Sequence, residues 1–77
     1  MQIGTRWRVG APIPVRLDER YLAEVDAAED RLRRRVDDAD SYVWTLSWLE
    51  GRAVLELEDG TVVSSTPQGD VVTIIDI

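Results

Sequence analysis

At 77 residues, with 44% hydrophobic and 31% charged side chains, the chain has the composition of one small folded domain. It contains no Cys, no His and no Lys, which excludes disulfides, thiolate metal sites, histidine general bases and lysine Schiff bases. The formal charge of −6, with nine Arg against fifteen Asp and Glu, argues against nucleic-acid binding, because neutralising phosphates needs a basic surface.

The first element is a half-buried strand, predicted from the alternation of polarity over residues 2–9. One of its faces carries Ile3, Thr5, Trp7 and Val9. Gly10 and the following prolines end it. Because Trp7 stands between two arginines, we predict that it is exposed and contacts a partner, whereas Trp44 and Trp48 are predicted for the core.

A long helix is predicted over residues 19–38. Asp18 is a suitable N-cap, and Glu19 stands in the first turn, where the helix dipole favours an acid. Apolar residues recur at helical spacing and form one stripe, made of Tyr21, Leu22, Val25, Ala28, Leu32, Val36 and Ala39. The polar stretch 37–41 ends the helix, because Asp and Ser compete for backbone hydrogen bonds.

Four short strands are predicted after the helix, at residues 42–50, 53–58, 61–66 and 71–77. Two-residue turns join them, at 51–52, 59–60 and 68–69. In the resulting register one face collects Trp44, Leu46, Trp48, Leu55, Leu57, Val62 and Ile75, and the helix covers that face. The sequence therefore predicts an α+β fold, with one long helix packed on an antiparallel β-meander in the order β-α-β-β-β-β.

The opposite face of this sheet is predicted to carry apolar side chains as well, among them Val54, Val63, Val72 and Ile74. Antiparallel sheets usually keep one face polar, so either the first strand with the loop 13–15 covers this face, or another chain does. The first strand is expected to flank the last strand or to cross the far face. We take Val63, Val72 and Ile74, together with Trp7, as candidates for partner contact.

A homodimer is predicted, built on the last strand or on the face that carries Val63, Val72 and Ile74. The last strand has no Lys, Pro or internal Gly, which are the usual devices against pairing at a sheet edge.

Four groups of residues suggest chemistry, and for each a structural role is favoured. Arg31, Arg33, Arg34 and Arg35 complement the helix dipole. Asp37, Asp38 and Asp40 lack the Gly and closing Glu of a calcium loop and are interpreted as a polar helix stop. Glu56 and Glu58 fit a solvated strand face better than an acid/base pair, and Ser64, Ser65 and Thr66 have no base to activate them. No catalytic residue, metal site or cofactor is predicted.

Several stretches carry a resemblance: MQIGTRW at 1–7, PVRL at 14–17, and WTLSWLEGR at 44–52 followed by ELEDG at 56–60. They look like a group of short uncharacterised actinobacterial proteins, some of which are labelled iron–sulfur oxidoreductases. The resemblance implies a bacterial source and no particular activity. The label does not fit this chain, because iron–sulfur clusters need Cys or His ligands.

These observations favour a non-enzymatic protein-interaction module or small regulatory subunit. The alternatives are an acidic inhibitor or immunity-type protein, and a carboxylate- or metal-dependent hydrolase. The hydrolase would use either Asp37, Asp38 and Asp40 or the pair Glu56 and Glu58. A protein partner is expected, with no nucleic acid and no membrane, since no apolar run approaches the ~20 residues that a membrane helix needs. The expected location is the cytoplasm.

Overall fold

One α-helix and five strands make up the computed structural model, which describes residues 2–75 and, for Gln2 and Ile3, only the backbone. The order is β1 (Gln2–Arg8), α1 (Glu19–Arg35), β2 (Val43–Leu49), β3 (Arg52–Leu57), β4 (Val62–Ser65) and β5 (Val71–Ile74), with a short 3-10 turn at Ala39–Ser41. The strands form one antiparallel sheet in sequential order, β1-β2-β3-β4-β5. The predicted α+β fold is confirmed.

Helix α1 begins as predicted and ends early. The side chain of Asp18 accepts a hydrogen bond from the backbone N–H of Arg20 at 2.8 Å, as an N-cap does. At the other end Val36 turns extended, with φ −135° and ψ 151°, so the helix stops before the predicted Asp38. This early stop carries the chain into the turn that buries Ala39. Leu22 lies outside the buried stripe and is exposed.

The core lies between α1 and one face of the sheet, which we call the inner face. Tyr21, on the first turns of the helix, donates its hydroxyl to the carbonyl of Ala53 at 3.1 Å and so ties α1 to β3. The buried apolar side chains are Trp7, Val9, Tyr21, Val25, Ala28, Leu32, Ala39, Trp44, Leu46, Ala53, Leu55, Leu57 and Val63.

Strand β1 pairs with β2, so both predicted positions for it are wrong. Trp7 lies opposite Trp44, and their rings stack with centroids 6.4 Å apart. The pairing buries Trp7 to 7% exposure, and the prediction that this side chain is exposed is therefore wrong. Trp48, predicted for the core, is instead 43% exposed. The predicted inward side chain of Ile3 lies outside the described part of the chain, although its backbone pairs with Ser47.

The β2–β3 turn consists of Glu50 and Gly51, not of the predicted residues 51–52. Both take positive φ, 52° and 78°, as a type I′ turn requires. Trp48 consequently lies opposite Ala53 rather than the predicted Leu55. This error moves the pairing by two positions, so each side chain keeps its predicted face.

The next two turns have three residues rather than the predicted two. The N–H of Leu57 donates to the carbonyl of Thr61, and Gly60 at φ 101° donates to the carbonyl of Leu57. The same bonds recur between Thr66, Gly69 and Asp70, with Gly69 at φ 92°. This is the three-residue hairpin with a glycine bulge.

The extra residue in the β3–β4 turn shifts the pairing by one position, so each side chain of β4 lies on the face opposite to the predicted one. Val63 lies opposite Leu55 on the inner face and is completely buried. Val62 lies opposite Glu56 on the other face. The predictions that Val62 is in the core and that Val63 is available to a partner are both wrong. Strand β5 ends at Ile74, and the predicted continuation through Asp76 and Ile77 lies outside the described residues.

Candidate interaction surface

The sheet face turned away from α1 is here called the outer face. The loop side chains Ile13 and Val15, predicted as one cover for it, pack instead against the core. Within residues 2–75, neither this loop nor β1, which pairs with β2, covers the outer face as predicted. The strand register places five residues side by side across this face, in the order Arg6, Thr45, Glu56, Val62 and Ile74.

Charge changes across the outer face from one edge to the other. Arg6 and Arg8 are exposed on β1, and Glu56 is exposed on β3. Glu58, just after β3, accepts a hydrogen bond from the backbone N–H of Val43 at 2.7 Å. Two shallow depressions of about 300 and 470 Å³ meet at Val43, the smaller beside the arginines and the larger beside the two glutamates. Towards β5 the face becomes apolar.

Strand β5 is the apolar edge of the sheet. Val72 is 38% exposed, Ile74 60% and Ile75 46%. Val72 and Ile74 belong to the outer face, as predicted, because they lie opposite Ser64 and Val62 of β4. Of the four residues predicted for partner contact, these two keep an exposed side chain.

The backbone of β5 has one set of hydrogen-bonding groups without a strand to pair with among the described residues. The N–H of Thr66 donates to the carbonyl of Asp70 at 2.7 Å, which identifies this pair as hydrogen-bonded. Hydrogen-bonded pairs alternate along an antiparallel ladder, so Val72 and Ile74 bond to β4. Val71 and Thr73 then direct their N–H and C=O groups away from the sheet, and Ile75, which follows the last residue of β5, is the next position in this alternation.

The helix holds the inner side of β5 in place. The hydroxyl of Thr73 donates to the carboxylate of Glu24, and the guanidinium of Arg20 donates to the carbonyl of Gly69 at 2.9 Å. These two contacts connect β5 and the turn before it to α1.

A buried carboxylate lies on the opposite side of the sheet and belongs to the core. Glu29, 7% exposed, accepts the indole N–H of Trp44 at 2.8 Å and approaches the guanidinium of Arg33 at 3.6 Å. It also meets the N–H of Gly10 at 3.5 Å. Sequence reasoning missed this role, although Glu29 occupies a position between Val25 and Leu32 on the buried stripe.

The other residues considered for chemistry do not converge on one place. Arg33 approaches Asp30 at 3.8 Å, and Arg35 approaches Asp59 at 3.8 Å. Asp38 accepts the hydroxyl of Ser41 at the helix stop. Among the residues that the structure describes, no group of three or more acidic side chains is arranged to hold a metal ion.

Comparison with known proteins finds no family model that matches the chain, and no significant match among curated proteins or solved structures. The resemblance to short actinobacterial proteins stays a prediction. Within residues 2–75, no helix has the length and apolar character to cross a membrane.

Proposed function

We propose that the chain is a non-enzymatic protein-interaction module, with β5 and the adjoining part of the outer face as its contact surface. The observation that carries the proposal is the exposure of Ile74 beside Val72, on a strand whose outer backbone groups have no strand partner among the described residues.

A polypeptide is the partner class that this surface favours. Outward N–H and C=O groups at a sheet edge are satisfied along their length by another extended chain. Burying the apolar side chains beside them stabilises the complex by roughly 25 cal/mol per Å² of apolar area. The partner can be another protein or a second copy of this chain. A small regulatory subunit and an acidic inhibitor or immunity-type protein are both forms of this proposal, and the charge of −6 suits the second.

The proposal is non-enzymatic because both groups of acidic candidates lie on open surface, where a bound substrate would stay in contact with water. Glu56 and Glu58 are on the outer side of β3 and its turn, whereas Asp37, Asp38 and Asp40 follow α1 on the other side of the sheet. Hydrolysis by a pair of carboxylates needs a cleft that encloses the substrate, and the depression beside Glu56 and Glu58 is shallow.

Affinity capture with matched surface variants tests the proposal. Tagged chain is incubated with extract of the source cells, and bound protein is compared between the natural chain, Val62→Glu and Ala23→Glu. Val62→Glu places a charge on the half-buried centre of the contact surface, while Ala23→Glu places the same charge on the exposed side of α1. We expect a partner that binds the natural chain and Ala23→Glu and is lost with Val62→Glu. The proposal is contradicted if the chain captures neither another protein nor a second copy of itself. It is also contradicted if Val62→Glu and Ala23→Glu recover equal amounts of the partner.

A further inference from the structure

We infer that β5 pairs with β5 of a second copy, antiparallel, with Thr73 on the two-fold axis. The inference rests on the proposed function and names the partner for that surface. It would join two five-stranded sheets edge to edge into one continuous sheet.

The hydrogen-bonding pattern of the β5 backbone indicates that the two-fold axis passes through Thr73. Val71 and Thr73 are the residues of β5 whose backbone groups point away from β4, and the pairing would extend the same alternation to Ile75. With Thr73 opposite Thr73 of the second copy, these two residues exchange both of their hydrogen bonds. Val71 then exchanges hydrogen bonds with Ile75 of the second copy, and Ile75 exchanges them with Val71 of the second copy. All outward groups of this segment are satisfied.

The side chains fit the same register. Val72 lies opposite Ile74 of the second copy on the outer face, at a position without backbone bonds, where side chains approach most closely. The pairing therefore brings together side chains that are exposed in the single chain. Residues 71–75 carry no charge, so no like charges face one another within the paired segment, and the acidic residues Asp70 and Asp76 flank it in sequence.

A neighbouring register satisfies fewer of these conditions. A two-fold axis at Val71 sets the charged Asp70 opposite Val72 of the second copy and extends the pairing into the turn at Gly69. The described chain then leaves the outward groups of Ile75 unpaired.

The other edge of the sheet is less suited to self-pairing. The N–H of Val9 donates to the carbonyl of Tyr42, so Arg6 and Arg8 are among the β1 residues with outward backbone groups. Pairing β1 with β1 of a second copy would set these arginines close together, and like charges at facing positions destabilise a sheet. Pairing β1 with β5 would be a head-to-tail contact, which continues into a ring or filament rather than closing as a dimer.

Disulfide trapping tests the register, because the natural chain has no cysteine. Thr73→Cys should form a disulfide-linked dimer under mild oxidation, since facing residues of a hydrogen-bonded pair have Cα atoms about 5.5 Å apart. Val72→Cys and Ile74→Cys should each stay unlinked alone. Mixed together, they should yield the crosslinked heterodimer. Efficient linking of Val72→Cys alone, or none with Thr73→Cys, overturns this register.

Analytical ultracentrifugation tests the dimer itself on the full chain. We expect a concentration-dependent dimer, and Ile74→Lys should raise its dissociation constant by ~10-fold or more. Thr73→Pro should have the same effect, because it removes an outward N–H without breaking a bond to β4. Ala23→Glu changes an exposed residue of α1 outside the pairing surface and should stay dimeric. Circular dichroism checks that each variant is folded.

Three outcomes overturn the inference: a monomeric natural chain at high micromolar concentration, a dimer that survives both Ile74→Lys and Thr73→Pro in folded form, or a folded Ala23→Glu variant that is monomeric. If the chain is monomeric and still captures another protein that is lost with Val62→Glu, the proposed function holds. Only the identification of a second copy as the partner is then wrong.

Discussion

At the start of α1, a single arginine connects the helix N-cap to the turn before β5. Arg20 lies 3.1 Å from the carboxylate of Asp18 and donates to the carbonyl of Gly69. The hydrogen bond from this side chain, helped by the backbone N–H of Arg20, holds the pKa of Asp18 below its ordinary value of 3.8. The charged form of Asp18 therefore stabilises the folded chain.

The depressed pKa predicts a pH-dependent contribution to stability. Stabilisation by Asp18 is present above pH 3.8 and is lost as the pH falls below it, through the lower pKa of the folded state. Thermal melts of the natural chain and Asp18→Asn should differ at neutral pH and converge as acid protonates the carboxylate. Asn keeps a capping oxygen and cannot titrate, so a difference that is independent of pH would contradict this prediction.

The buried Glu29 gives a second prediction at the level of a residue. Glu29→Ala removes the acceptor of the Trp44 indole N–H and should lower the free energy of unfolding by about 1–3 kcal/mol. Glu29→Gln keeps an oxygen that can accept the same bond and should cost less. Urea unfolding measures both variants, and equal losses would show that the bond to Trp44 does not matter.

Among the elements, β4 is the one whose orientation is decided by its turn. Val63 is completely buried and Val62, its neighbour in sequence, faces outward. Val63→Thr should destabilise the chain by about 1–3 kcal/mol, because the buried hydroxyl replaces a methyl group without a ready partner. Val62→Thr should change stability by less than ~0.5 kcal/mol. If urea unfolding shows a larger loss of stability for Val62→Thr than for Val63→Thr, the register predicted from the sequence is the correct one.

The β2–β3 hairpin carries local strain that a substitution can relieve. Glu50 has φ 52°, a conformation that Asn adopts far more readily. We expect Glu50→Asn to raise the free energy of unfolding by ~0.5–1 kcal/mol. Its exposed contact with Arg52, at 3.6 Å, contributes little. Glu50→Ala loses the same contact without gaining the conformational preference, so a gain with Ala would contradict the explanation.

For the whole molecule, self-association and stability should be linked. A second copy that binds only the folded chain raises the melting temperature as the chain concentration rises. We expect this dependence for the natural chain and not for Ile74→Lys, whose substituted side chain is 60% exposed in the single chain. Differential scanning calorimetry over a wide concentration range measures it. A melting temperature that is constant for the natural chain would argue against the dimer.

Local signals in the sequence determined which elements form. The N-cap at Asp18, the helical spacing of Val25, Ala28 and Leu32, and the alternation in the strands all concern residues close in sequence. Such signals depend on the bonds and periodicity of one element, and together they predicted the α+β fold and its order of elements. The exposure of Val72 and Ile74 was predicted as well, because β5 kept its expected face.

The tertiary structure decided how those elements pair. The Asp-Gly sequence suits a two-residue turn and also a three-residue turn with a glycine bulge, and a difference of one residue turns β4 over and buries Val63. The position of β1 depends on residues far apart in the chain, since Trp7 is buried where β1 pairs with β2 and its ring stacks on that of Trp44. Burial in a shared core is a property of the assembled sheet and helix, and no pattern within β1 alone contains it.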